Sequence, residues 1–378
     1  MPLTPSLPTN AERERIAAEL MTSFADRTGL TSSQAPERYL WTDAFAVCNF
    51  LGLARRTGQD RYRDLALRLV DQVHHTLGKH RPDDPRTGWL SGLEETAGEQ
   101  HPTAGGLRIG KELPERRIDQ PFDDQLEWER DGQYFHYLTK WMHALDQVAR
   151  ATGEPRFNRW ARELARVSCA AFAGTSLRGR GPGRMVWKMS IDLSRPLVPS
   201  MGQHDPLDGW ITCLQLRASA SELSVEQSEE RGPDLAEETA GFATMARAGD
   251  WATADPLGIG GLWVEASRVR QLLAKQACPD RNLLPELLAA ADMGLRYYRQ
   301  QADLEGRASH RLAFRELGLA IGLATTGRAE EQSLADQITA FWLEPRHQQQ
   351  HTWASHRNIN EVMLATDLVP EGFISLGS

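Results

Sequence analysis

Trp41-Thr-Asp-Ala-Phe-Ala-Val-Cys-Asn-Phe-Leu-Gly-Leu-Ala-Arg-Arg-Thr57-Gly58 and Tyr134-Phe-His-Tyr-Leu-Thr-Lys-Trp-Met-His-Ala-Leu-Asp-Gln-Val-Ala-Arg-Ala-Thr152-Gly153 share one plan. Each is a long helical pattern that stops at Thr-Gly, where glycine can take the left-handed conformation that ends a helix. An amphipathic helix follows each of them. Over 60–77 the apolar face carries Tyr62, Leu65, Ala66, Leu69, Val70 and Val73, and over 156–172 it carries Phe157, Trp160, Ala161, Leu164, Ala165 and Val167. Spacings of three and four mark a single buried stripe. The unit is a helical hairpin.

The hairpin recurs along the chain, and a recurring unit identifies the architecture. Leu312-Ala-Phe-Arg-Glu-Leu-Gly-Leu-Ala-Ile-Gly-Leu-Ala-Thr-Thr326-Gly327 is a third clear copy, followed by 330–342. Weaker copies pair 208–223 with 234–247 and 256–275 with 282–300. A last helix at 356–366 needs a partner, and the helix at 11–24 is the unpaired one. Six first helices and six second helices predict an all-α fold, an (α/α)6 barrel formed by residues 1–378 as one domain, with the terminal helices closing the ring.

Loop lengths separate the two rims. After a first helix the chain turns within a few residues, as in Thr57-Gly-Gln-Asp60 and Thr152-Gly-Glu-Pro155. Before a first helix the connections are long, notably 78–130 and 174–207. Long loops in compact domains usually carry function. The expected working face is therefore the rim where the first helices begin. If those helices form the inner ring, their N-terminal dipoles converge there and favour negative charge.

This hairpin pattern resembles the six-hairpin glycosidase superfamily over nearly the whole chain. The resemblance implies an active-site mouth at the N-terminal rim of the inner helices. It also implies an activity among glycoside hydrolases, unsaturated uronyl hydrolases and sugar epimerases. It rests on architecture alone: no catalytic signature is present, so no catalytic residue is carried over by motif.

Composition narrows the partners. A net charge of −8 and a pI near 5.8 argue against a nucleic-acid or membrane-surface partner. No apolar run approaches the roughly 20 residues that span a bilayer, and the N-terminal stretch lacks the pattern of a secretion signal. Cys48, Cys169, Cys213 and Cys278 are far apart in apolar stretches and read as free buried thiols, which points to a cytoplasmic protein. No cofactor and no metal are expected. The partner expected is a small-molecule or oligosaccharide substrate.

The densest polar cluster is Pro121-Phe-Asp-Asp-Gln-Leu-Glu-Trp-Glu-Arg-Asp-Gly-Gln-Tyr-Phe-His136. It places Asp123, Asp124, Glu127, Glu129 and Asp131 before the second inner helix, with Trp128 and Tyr134 among them. Glycoside cleavage needs two carboxyl groups, one kept protonated and one ionised, and aromatic faces on which a sugar can lie. Asp131 and its neighbours Asp124 and Glu127 are candidates for one carboxyl, and Asp43 or Asp205 for the other. The competing reading makes Asp131 an N-cap, Asp43 a first-turn carboxylate and the rest a solvated loop. Asp208 and Asp255 read as ordinary N-caps, with Pro256 at the first helical position. Asp123-Asp-Gln-Leu-Glu127 also fits a loose metal-diphosphate pattern, but in an expected loop and without the second motif of such enzymes.

Further substrate-binding candidates are Trp41, His136, His204, Trp210, His310, His356 and Arg357, all placed at expected mouths. Arg108 and Lys111, with Arg178, Arg180, Arg184, Lys188 and Arg195, could grip a carboxylate, sulfate or phosphate, or simply form a solvated basic surface. If histidines such as His136, His310 or His356 move protons, the reaction is epimerisation or isomerisation rather than hydrolysis. A glycan-binding protein without catalysis is the third reading.

Overall fold

The computed structural model describes residues 7–173, 184–198, 200, 202–223, 232–302, 304 and 306–377. Arg178 and Arg180 lie outside them. The structure is mostly helical, and its long helices follow the hairpin plan. First helices run over Leu40–Thr57, Phe135–Thr152, Asp205–Glu222, Pro256–Ala274, Ala313–Leu323 and Arg357–Leu368. Second helices run over Asp60–Leu77, Pro155–Phe172, Ala236–Arg247, Leu283–Gln301, Ala329–Leu343 and Asn10–Arg27. Gly58, Gly153 and Gly327 all have positive φ, so the three Thr-Gly stops are built as the sequence predicts.

The chain divides into two compact units. One comprises Met1–Arg27, Cys48–Arg63 and Trp251–Gly377; the other comprises Thr28–Val47 and Asp64–Asp250, with Ser378. In the first, Pro256–Ala274 packs on Leu283–Gln301 and Ala313–Leu323, which in turn packs on Ala329–Leu343 and Arg357–Leu368. The N-terminal helix packs on Arg357–Leu368, the pairing that counting helices requires. Gly260 and Gly318 let two first helices meet almost backbone to backbone. A Cβ on Gly260 would lie 2.0 Å from the Gly318 carbonyl oxygen. Gly260→Ala is expected to lower stability by ~1–3 kcal/mol through overpacking, although alanine is the better helix former. An unchanged urea midpoint would show that the two helices have room to spare.

In the second unit, Phe135–Thr152 packs on Pro155–Phe172 and Asp205–Glu222. The first helices are buried on nearly every side here, whereas Pro155–Phe172 is amphipathic. The polar residues this burial traps are paired across the seam. Asp146 accepts from Gln215, Ser219, Asn158 and Arg150 at 2.7–3.0 Å, as buried polar groups must be satisfied. The long 78–130 connection is not a bare loop. It holds short helices at Glu95–Gln100 and Asp124–Glu129, so the expected loop around Asp123-Asp-Gln-Leu-Glu127 is in fact capped helix, with Asp123 accepting from the Leu126 amide at 2.9 Å. A small antiparallel sheet, unforeseen from sequence, pairs Gln133–Tyr134 with Lys188–Met189, and that strand with Pro196–Val198. All four cysteines are free and buried. No helix among the described residues is long and apolar enough to cross a membrane.

Candidate functional site

The small sheet decides what stands beside the start of Phe135–Thr152. Pairing Tyr134 with Lys188 brings the preceding residue, Trp187, next to Tyr134. The Tyr134 ring stacks on Trp187 and on His136 at centroid distances of 5.5 and 5.4 Å. Trp128 meets Trp187 edge-on at 4.5 Å. Tyr137 lies at 5.2 Å from Tyr134, and its hydroxyl is 2.7 Å from that of Tyr39. Burial raises the Tyr39 pKa, so this pair stays un-ionised. Lys111 stands over the Tyr39 ring at 5.7 Å. The result is one aromatic cluster with Tyr39, His136, Tyr137 and Trp187 partly exposed.

Two helices meet beside these rings with an acid and a base. His136, in the first turn of Phe135–Thr152, has its Nδ1 3.9 Å from Oδ1 of Asp205, which opens the next first helix. His136 Nδ1 and Asp205 Oδ2 are buried atoms without a hydrogen-bond partner. Gly202 presses on the Asp205 carboxyl: a Cβ at 202 would lie 2.4 Å from Oδ2. One turn further along, Lys140 and Asp208 form an ion pair at 3.1 Å. Burial, reinforced by the charge of Asp208, pushes the Asp205 carboxyl up to about 8. Burial likewise pushes His136 down to about 4, although its side chain keeps 29 % exposure. At neutral pH the pair is a protonated carboxyl facing an uncharged imidazole. Environments that drive two titratable groups apart in this way mark acid and base roles.

Comparison of the whole chain with known structures then fixes its class. No family profile matches the sequence, and no curated protein matches it. Solved structures do match in fold. An α-mannanase of Bacteroides thetaiotaomicron covers 97 % of this chain and 95 % of its own, at 8 % identity and TM-score 0.52. A D-mannose isomerase covers 96 % and 99 % at 12 % identity and TM-score 0.54. The cellobiose 2-epimerase of Spirochaeta thermophila covers 96 % and 99 % at 11 % identity and TM-score 0.50. The chain has the six-hairpin (α/α)6 fold.

Within this six-hairpin chain the expected site residues fall into distinct settings. Asp131 is fully buried. Its carboxylate accepts from Arg108 at 2.6 Å, from Arg81 at 3.4 Å, and from the Gly110 and Gly132 amides at 3.0 Å. It is not an N-cap: Tyr134 holds that position, and Asp131 instead ties the long loop to the helix entry. Arg108 is equally committed, with Nε and Nη2 donating to the Lys79 and Thr76 carbonyls. Glu127 is clamped between Arg116 at 2.8 Å and Lys188 at 3.1 Å. Lys188 also donates to the Glu127 and Arg130 carbonyls, and burial depresses its pKa. These cations therefore serve carboxylates and carbonyls of the protein itself, which removes them from the anion-gripping role the sequence suggested.

Asp43 is buried in the first helix, accepts from the Tyr39 amide at 2.9 Å, and lies 3.5 Å from Arg38. Burial raises it to about 6, with Arg38 opposing. Trp41 is buried against Phe45 at 4.4 Å, and Trp210 is buried beneath Arg247 at 5.2 Å, so both pack as core rings. Asp124 is exposed, and His204 is the N-cap residue before Asp205 without a side-chain cap bond. Asp208 is a first-turn residue rather than a cap, whereas Asp255 caps its helix through the Gly258 amide at 3.0 Å. His310, His356 and Arg357 belong to the other unit and are exposed. There His356 meets Phe314 at 5.8 Å, and Arg357 donates to Glu361 at 2.7 Å. Trp187, Tyr39, Tyr137 and Lys140 were missed by sequence reading. The first depends on strand pairing across some fifty residues, and no local pattern marks it.

Proposed function

We propose that this chain is a sugar-converting enzyme, an epimerase or isomerase that works by proton transfer between His136, Asp205 and a bound sugar. The observation that carries the reading is the unsatisfied His136–Asp205 pair beside partly exposed aromatic rings. An uncharged imidazole can take the proton from the carbon next to a sugar carbonyl, while the electrons shift to the carbonyl oxygen and the Asp205 carboxyl supplies its proton there. Reversal, with the proton returned to the other face or the neighbouring carbon, gives the epimer or isomer. Ring faces of Tyr134 and Trp187 suit the C–H side of a sugar. The fold of D-mannose isomerase and of cellobiose 2-epimerase agrees with this choice.

Glycosidic cleavage is the second reading. Asp205 would be the acid and Asp208 the base, three residues apart and therefore on one helix face, as a fold shared with an α-mannanase allows. The candidates Asp131 and Glu127 support it less, because internal partners occupy their oxygens. Buried free thiols favour a cytoplasmic setting.

Incubation with aldoses, ketoses and disaccharides in D2O, followed by NMR, tests the proposal. Deuterium entering the sugar next to its carbonyl, without new reducing ends, is the expected result. New reducing ends without deuterium would replace it by the hydrolytic reading. Binding with neither change would leave a glycan-binding protein.

A further inference from the structure

A cavity of about 1050 Å³ opens in the unit that holds His136, walled by three loops at 81–86, 113–120 and 191–195. It shares no residue with the aromatic cluster or the His136–Asp205 pair. Its volume is at the upper end of small-ligand pockets, ~300–1,000 Å³, which leaves room for more than one sugar ring.

The lining excludes some ligands by its charge pairing. Arg86 donates to Asp84 at 2.8 Å, to Glu115 at 2.9 Å and to Asp192 at 2.7 Å. Arg81 is paired with Asp83 at 2.7 Å and Arg117 with Asp119 at 3.1 Å. An anion entering here must displace a carboxylate from an arginine, and a cation must displace an arginine from a carboxylate. A neutral hydroxyl-rich ligand displaces neither. Each guanidinium has five N–H donors and each carboxylate about four acceptor sites, so paired groups retain directions in which a hydroxyl, both donor and acceptor, can bridge them. Pro85, Pro114, Ile118 and Ile191 add apolar surface for the C–H faces, and Ile118 is 87 % exposed at the cavity.

We propose that this cavity binds a neutral oligosaccharide, at a site separate from the proton-transfer pair. The inference rests on the sugar reading above only for the class of ligand. Two rim positions test it without touching that pair. Ser194 is exposed, and Ser194→Trp fills the cavity; Arg117 is exposed, and Arg117→Ala removes one donor fork.

The experiment is calorimetric titration with linear hexasaccharides of glucose, mannose and xylose, alongside hexagalacturonate and inorganic phosphate. Expected is binding of a neutral hexasaccharide that Ser194→Trp weakens at least tenfold, Arg117→Ala weakens severalfold and His136→Asn leaves intact. If Ser194→Trp fails to fold, Arg117→Ala decides. Binding abolished by His136→Asn but untouched at the rim would overturn the proposal, because the hexasaccharide would then occupy the other site. Preference for hexagalacturonate or phosphate would overturn it, and so would the absence of any hexasaccharide binding. Deuterium exchange into monosaccharides by Ser194→Trp, expected at the wild-type rate, judges the proton-transfer reading separately.

Discussion

Asp205→Asn is expected to lower turnover of the converted sugar by about 10²–10⁴-fold, the usual worth of a general acid or base, and His136→Asn by a similar factor. Neither change should unfold the protein. Wild-type kcat/KM should fall as pH rises through about 8, where Asp205 ionises, and as pH drops through about 4, where His136 takes a proton. The stability of the two variants separates chemistry from architecture. Asp205 titrates near 8 in the fold but at 3.8 ordinarily, so between those values the folded chain holds a proton that the unfolded chain has released. Its contribution to stability is therefore lost as pH rises from about 4 through about 8. Asp205→Asn removes that loss, so its melting temperature should gain on the wild type from pH 5 to 8 and then level off. His136 acts in the opposite window. Its depressed value makes stability fall as pH drops from about 6.5 through about 4, and His136→Asn should abolish that fall. A kinetic loss matched by a fall in melting temperature at every pH would mean that these residues only hold the fold.

Asp131→Ala is the substitution expected to damage the fold most. It leaves the buried Arg108 guanidinium without its carboxylate, takes one partner from Arg81 and frees the Gly110 and Gly132 amides. Removing one member of a buried ion pair costs about 3–5 kcal/mol, because the remaining charge stays desolvated. Such a loss is comparable with the whole stability of many domains. Asp131→Leu combined with Arg108→Met should recover much of the loss, since replacing both partners by apolar groups of similar size is often close to neutral. Chemical denaturation of the single and double variants measures this directly. If the double variant is no more stable than Asp131→Ala, the damage comes from the lost amide contacts and not from the stranded charge.

Much of the fold was legible because its signals are local. The 3.6-residue apolar stripe of Asp60–Leu77 and the glycine stops at Gly58, Gly153 and Gly327 lie within single hairpins. The pairing of the first and last helices followed from counting alone. The candidate site was legible in part. His136 and Asp205 were named, but among many candidates, because nothing in sequence says which polar groups lack partners. Asp131 and Arg108 lie 23 residues apart and were read as a catalytic carboxylate and an anion ligand, yet the chain brings them together at 2.6 Å. Lys188 and Glu127 are 61 residues apart and satisfy one another in the same way. Trp187 reaches Tyr134 only through a sheet of two- and three-residue strands, too short for an alternating pattern to show.

The central claim is that the fold holds an uncharged base against an uncharged acid, and an NMR titration of the His136 imidazole tests it without any substrate. With labelled protein, the account predicts a neutral ring through pH 6–7, an inflection near 4, and a carboxyl carbon of Asp205 that titrates near 8. An imidazole protonated at neutral pH beside an Asp205 that titrates near 4 would contradict it, because the two side chains would then form an ordinary ion pair.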